Sequence, residues 1–129
     1  MTTTTDLIQH TEQIRKLNDS FRRGFHYGDK LGRVVLTRGV QILINDNPQG
    51  VIGSYASHQE LMDKVQAFDS FDEANDPHGE HDFFAFDFRG KKLFAKIDYY
   101  DTNYEFGSSN PADPSQTRRV LTLMLSEEY

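Results

Sequence analysis

The chain contains no cysteine, and this one absence removes disulfides, thiolate nucleophiles, thiol redox sensing and every zinc site built on sulfur. A metal, if there is one, has to be held by His, Asp and Glu. Also missing is any apolar run near the ~20 residues that cross a bilayer. The opening MTTTTDLIQH has neither the basic start nor the hydrophobic stretch of a secretory signal. Together these predict a soluble, cytoplasmic protein with no membrane partner. Nucleotide motifs are absent too. The closest approach to a phosphate-cradling loop, Gly24 to Lys30, has the wrong spacing and no hydroxyl after the lysine, and neither the dinucleotide pattern G-x-G-x-x-G nor the serine elbow G-x-S-x-G occurs. No motif calls for a cofactor, and no residue takes a catalytic role on sequence grounds.

What is present is one domain's worth of chain, 129 residues with a formal charge of -6, enough to bury a single core. The charge is unevenly placed. Between Arg15 and Arg38 stand seven basic residues (Arg15, Lys16, Arg22, Arg23, Lys30, Arg33, Arg38) against two acids. Between Glu60 and Asp87 stand nine acids against the single Lys64. A split of this kind can give one face a field of one sign and steer a partner of the other. It can equally be the wet side of helices and loops.

Along the chain, residues 1–5 read as a disordered tail. Leu7, Ile8, Ile14, Leu17 and Phe21 recur at helical spacing and predict a helix over 6–22, closed by Arg22, Arg23 and Gly24. The run RVVLTRGVQILI, 33–44, reads as a strand, DNPQG as a turn and VIGSY as a short return strand. Ser57 and Glu60 fit a capping box for a second helix over 57–71. The pattern HDFFAFDFRGKKLFAKIDYYD predicts a hairpin over 82–100 with Arg89 and Gly90 as its loop. In that register Phe88 faces Lys91, Asp87 faces Lys92, Phe84 faces Ala95 and Asp82 faces Ile97, and Phe84, Phe86, Phe88, Leu93, Ala95 and Ile97 share one side. Asp113, Pro114 and Gln116 carry helix-start signals, so 114–126 reads as a third helix, although RRVLTLML also suits a strand. The fold class expected is α+β, a small antiparallel sheet packed by about three helices.

The candidate site is the stretch NDPHGEHDF, Asn75 to Phe83. Extending the hairpin register brings His81 opposite Asp98, so His78, Glu80, His81, Asp82, Asp98 and Asp101 gather at one end. Imidazole and carboxylate together could hold a divalent metal, with His78, His81 and Asp98 as ligands, or let an Asp orient a His as a base. The spacing is not that of the zinc-hydrolase helix motifs, and Pro77 and Gly79 oppose a helix here. Asp76 to Gly79 equally suits a turn tied down by its own side chains, with His81 and Asp98 as a cross-strand polar pair. Of Tyr99 and Tyr100, alternation buries one and leaves the other as an interface anchor or a plain strand aromatic.

The segments NDPHGEHDF, KIDYYD, PADPSQTRRVLT and the final EEY, with LNDSFRR and GRVVLTRGV, resemble a family of small bacterial proteins of unknown function. The likeness spans most of the chain outside Gln41–Ser57 and implies proteins often encoded on or near mobile elements. The family pattern has Gly at the position of Phe84 and Trp at that of Ala95. A large-for-small exchange on facing positions would keep core volume roughly constant.

The leading expectation is a protein-binding module for a protein or nucleoprotein complex with a basic surface, such as a phage- or plasmid-encoded inhibitor of a CRISPR or restriction complex. The binding surface expected is Asp69, Asp72, Glu73, Asp76, His78, Glu80, His81, Asp82, Asp98, Tyr99, Tyr100 and Asp101. Metal binding or metal-assisted hydrolysis at the His/Asp cluster is the alternative. Direct nucleic-acid binding by Arg15, Arg22, Arg23, Arg33 and Arg38 is disfavoured by the overall acidity.

Overall fold

A computed structural model of the chain describes residues 3–24 and 31–129. Helix α1 spans Thr4–Gly24. It starts earlier than its apolar stripe predicts because Thr3 caps it: the Asp6 amide donates to Thr3 Oγ1 at 3.0 Å and the Thr3 amide to the Asp6 carboxylate at 3.1 Å. The tail expected over 1–5 is therefore helix from Thr4 onward. The buried side of α1 also differs from expectation. Ile14, Asn18, Phe21 and Arg22 are buried, whereas Leu7 and Ile8 remain 57% and 54% exposed.

The run 33–44 divides in two. Strand β1 spans Gly32–Leu36 and helix α2 spans Arg38–Asn45. Val40 and Ile44, one helical turn apart, are the buried residues of α2, so its apolar residues follow a helical period after Thr37. Helix α3 runs Gly50–Ala67, so VIGSY is helix rather than a return strand. Ser57 is fully buried within α3, among Leu61, Met62 and Val65, and caps nothing.

Strands β2 (Phe83–Phe88) and β3 (Lys91–Tyr100) form the expected hairpin in the expected register, from Phe88 facing Lys91 to Phe84 facing Ala95. The Ile97 amide bonding the Asp82 carbonyl at 2.8 Å continues it. Arg89 and Gly90 both take positive φ, 51° and 78°, which is the type I′ turn whose twist matches a hairpin. The last element corrects the sequence reading: Arg118–Leu125 is strand β4, not a helix. Asp113 does cap, but it caps a turn, accepting from the Ser115 amide at 2.9 Å and from Gln116 Nε2 at 2.7 Å.

The sheet order is β1-β4-β3-β2, with β1 parallel to β4 and the other pairs antiparallel. The fold is thus α+β with a mixed, mostly antiparallel sheet. The core lies between one sheet face and the helices: Phe84, Phe88, Leu93, Ala95, Ile97, Leu121 and Leu123 meet Phe21, Val40, Ile44, Leu61, Met62 and Val65. Phe84 and Ala95, the exchanged pair of the resemblance, face each other in this core. On the opposite sheet face Phe83, Phe94 and Tyr129 cluster with ring centroids 5.1–5.9 Å apart. No helix among the described residues is long and apolar enough to cross a membrane.

Candidate functional site

The segment between α3 and β2 is anchored from beneath by α1. Arg15 donates to the Gly79 carbonyl at 3.0 Å, and Asn18 Nδ2 donates to the Glu80 carbonyl at 2.9 Å and the Tyr99 hydroxyl at 2.9 Å. Asp19 Oδ1 takes His81 Nδ1 at 2.9 Å and Arg22 at 3.2 Å. Tyr99 in turn donates to the Glu80 carboxylate at 2.7 Å. Burial, then the bond to Glu80, pushes the Tyr99 phenol far up, so it acts here as a neutral donor.

Two arginines complete this network, and both are fully buried. Arg119, directly across from Tyr99 in the β3–β4 pairing, bonds Asn18 Oδ1 at 2.5 Å and the Pro111 carbonyl at 2.7 Å. Arg22 donates to the Val65 and Gln66 carbonyls at 2.8 and 3.1 Å, closing the C-terminus of α3 where a cation is favoured. Burial lowers the pKa of both guanidiniums. Among the described residues Arg119 Nη1 and Arg22 Nε have no hydrogen-bond partner, an expense that the aromatic rings around them offset in part: Arg22 lies 5.6 Å from Phe71 and Phe84, and Arg119 5.2 Å from Tyr99.

The register extends to Asp82 but His81 does not pair with Asp98. His81 has φ of 56°, which ends the strand alternation and turns its ring toward α1. There it stacks on Phe71 at 3.8 Å and sets Nε2 3.5 Å from Asp76. Asp98 projects from the other sheet face, 3.4 Å from Lys96. The expected ligand set of His78, His81 and Asp98 is accordingly not assembled, and among the described residues no three His, Asp or Glu side chains come together to hold a metal.

What assembles instead is a cleft of about 340 Å³ on the open sheet face, lined by Asp76, His78, Asp82, Lys96, Asp98 and Tyr129 among others. Burial raises the Asp82 carboxyl above its ordinary value, the charges of Glu80 and then Asp76 add to this, and the Asp82 amide and His78 oppose it. Three carboxylates, those of Asp76, Asp82 and Asp98, share this cleft with one lysine, Lys96.

The remaining expected residues separate by role. Asp69, Asp72 and Glu73 are exposed on the loop above the network. Asp72 Oδ1 accepts from the Ala74 and Asn75 amides, each at 2.9 Å, and so holds the loop's shape as well as presenting charge. Asp101 caps its own turn through the Asn103 and Glu105 amides. Tyr100 is half-buried on the open face. Glu60 and Lys64 of α3 reach toward the β2 hairpin, Arg89 bonding Glu60 at 3.0 Å and Lys64 the Asp87 carbonyl at 3.0 Å, while Asp63 accepts from Gln59 Nε2 at 2.9 Å on its own helix. Of the basic stretch, Lys16, Arg23 and Arg38 are exposed. Arg22 is buried, Arg15 serves Gly79, Arg33 stacks 3.7 Å from Tyr104, and Lys30 lies outside the described residues.

Asn18, Asp19, Arg22 and Arg119 escaped the reading of the expected site. Their signal was present: Ile14, Asn18, Phe21 and Arg22 fall at i, i+4, i+7 and i+8, so two polar residues share a stripe with two apolar ones.

Searches of curated proteins and of solved structures find no match to the chain. A family model described as a protein of unknown function, DUF3768, matches residues 36–128, from the end of β1 through β4 and the closing turn. The match includes the loop, Arg119 and all of the cleft's lining except Tyr129, while α1 precedes it, and the chain belongs to the DUF3768 family.

Proposed function

We propose that the protein works by binding, presenting the loop 69–82 and the adjoining cleft to a cationic surface of a partner protein. The observation that carries this reading is the cleft that brings Asp76, Asp82 and Asp98 together with a single lysine, Lys96. A lysine or arginine entering the cleft would meet the carboxylates of Asp76, Asp82 and Asp98, and association would gain what the free protein lacks. Support also comes from the anchoring beneath. A loop already fixed by Arg15, Asn18 and Asp19 loses little conformational freedom when it binds. Surfaces that offer clustered cations belong above all to proteins that handle nucleic acids, so a bacterial defence complex is a target class in which carboxylates would occupy positions meant for phosphates.

The test is charge reversal with a matched control. Asp69→Lys with Glu73→Lys should abolish capture of the partner from lysate of bacteria carrying active defence systems, while Glu105→Lys with Glu127→Lys, equal in charge and exposed elsewhere, should leave capture intact. Equal loss in both variants reduces the interaction to net charge and removes the assignment to this loop.

A further inference from the structure

His81 stands where the loop meets α1, and each of its ring nitrogens faces a carboxylate from a different element. Nδ1 lies 2.9 Å from Asp19 Oδ1 on α1, and Nε2 lies 3.5 Å from Asp76 Oδ2 in the loop. A neutral imidazole has one N–H and one bare lone pair, so it donates to one of these carboxylates; the imidazolium donates to both. The shorter contact, to Asp19, keeps the single proton of the neutral ring, whose lone pair then faces Asp76. That carboxylate is poorly placed to recruit water instead, its side chain being 6% exposed. Its Oδ1 already accepts from the His81 amide at 3.2 Å. Asp76 thus grips both the backbone and the ring of one residue, which sits at a φ of 56°. Phe71 stacks on the ring at 3.8 Å, with planes 7° from parallel, and an aromatic face favours a cation over it.

The charged groups around the ring come from three sides. On α1, Asp19 touches Nδ1, and Arg22 shares its Oδ1 at 3.2 Å, opposing a second positive charge from behind that oxygen. Arg15 is held at the Gly79 carbonyl. In the loop, Asp76 touches Nε2 and has Lys96 across the cleft. Of the chain neighbours of His81, Glu80 is turned to the Tyr99 hydroxyl and Asp82 lines the cleft. Direct contact is thus with carboxylates at both nitrogens, and the cations reach the ring only through them. We propose that His81 is a pH-operated latch: proton uptake on its ring fastens the loop to α1, and proton loss loosens it at Asp76. Histidine is the side chain whose charge ordinarily changes between about pH 5 and 8. The second donor exists only on the protonated ring, so the hold is complete at the acid end of this range and is lost as pH rises through it. The latch goes beyond the binding reading and is a property of the free protein, so it stands or falls without any partner.

Amide exchange of the full chain at about pH 5.5 and about pH 8, expressed as protection relative to an unstructured peptide at the same pH, tests this directly. Protection of the Asn75, Gly79 and His81 amides should fall about tenfold between the two. His78→Gln, at an exposed position, should show the same fall. His81→Asn, a residue that tolerates left-handed backbone, should lose the pH dependence. Asp76→Asn guards against a variant that only loosens the loop. Its amide oxygen can still accept from the His81 N–H, and its amide nitrogen can donate to the unprotonated Nε2, so the loop should stay protected at about pH 8. Protection that is independent of pH in the wild-type chain overturns the proposal. So does a fall that persists in His81→Asn, a fall in Asp76→Asn as large as in wild type, or a fall that His78→Gln abolishes.

Discussion

Replacing Asn18 by alanine removes the centre of the buried network and puts the largest polar cost in this fold at one position. Asn18 is fully buried. Its Oδ1 accepts from Arg119 Nε, and its Nδ2 donates to the Glu80 carbonyl and the Tyr99 hydroxyl. Losing an acceptor for a buried guanidinium costs about 1.5–3 kcal/mol, and each orphaned neutral partner adds about 1 kcal/mol. Among the described residues Arg119 Nη1 already has no partner, so its side chain would keep only the Pro111 carbonyl there. The total comes to about 3–5 kcal/mol, a large part of the ~5–15 kcal/mol that holds a domain together. Urea unfolding followed by far-UV circular dichroism and tyrosine fluorescence, the chain having no tryptophan, measures it. A double-mutant cycle with Arg119→Met isolates the pair, and the double variant should lose about 1–3 kcal/mol less than the sum of the singles. A loss below about 1 kcal/mol for Asn18→Ala, or a cycle that sums to zero, would refute the reasoning that these groups are tightly coupled.

Other perturbations probe other parts of the fold. The Asp82 carboxyl has its pKa raised in the folded protein, so its ionisation opposes folding: relative stability is complete below the ordinary aspartate value and is lost as pH rises through the folded one. Asp82→Asn should therefore stabilise at neutral pH, and its advantage should vanish on acidification, as thermal melts across pH would show. Gly90→Ala should cost about 1 kcal/mol in urea unfolding, because φ is +78° while an added Cβ would meet nothing within 4 Å. At Gly32 the balance reverses. An added Cβ collides with the Arg119 backbone, so Gly32→Ala should lower the melting temperature well beyond Gly90→Ala by forcing β1 off β4.

The hairpin was legible because two signals agreed on one register, alternating Phe84, Phe86 and Phe88 and the Asp87–Lys92 facing pair; Arg-Gly is not the preferred two-residue loop and by itself left room for a longer turn shifted by one. Strand β4 was not, because a strand with buried residues on both faces reads as an unbroken apolar run; Leu121 and Leu123 face the core while Met124, on the other face, is also buried. The true capping chemistry of Asp113 then argued for a helix that is only a turn. Strand β1 and helix α2 merged for a related reason, since short apolar segments do not reveal their period. In the candidate site the sequence located the loop and its acids. The left-handed residue at His81 defeated the step from register to contact, because pairing arithmetic holds only while the backbone stays extended. The buried arginines were hidden by their charge, which marks a residue as surface until a partner inside is known.

Amide hydrogen exchange of the free protein tests most directly whether the loop is ordered before any partner arrives. The amides of Ala74, Asn75, Asp76, Gly79 and His81 all donate to Asp72 or Asp76 within the loop. They should be protected in the wild-type chain and lose protection in Asn18→Ala while the core amides of the β3–β4 pairing, such as those around Leu121 and Leu123, keep theirs. Exchange of these loop amides at the rate of an unstructured peptide would contradict a pre-formed acidic platform.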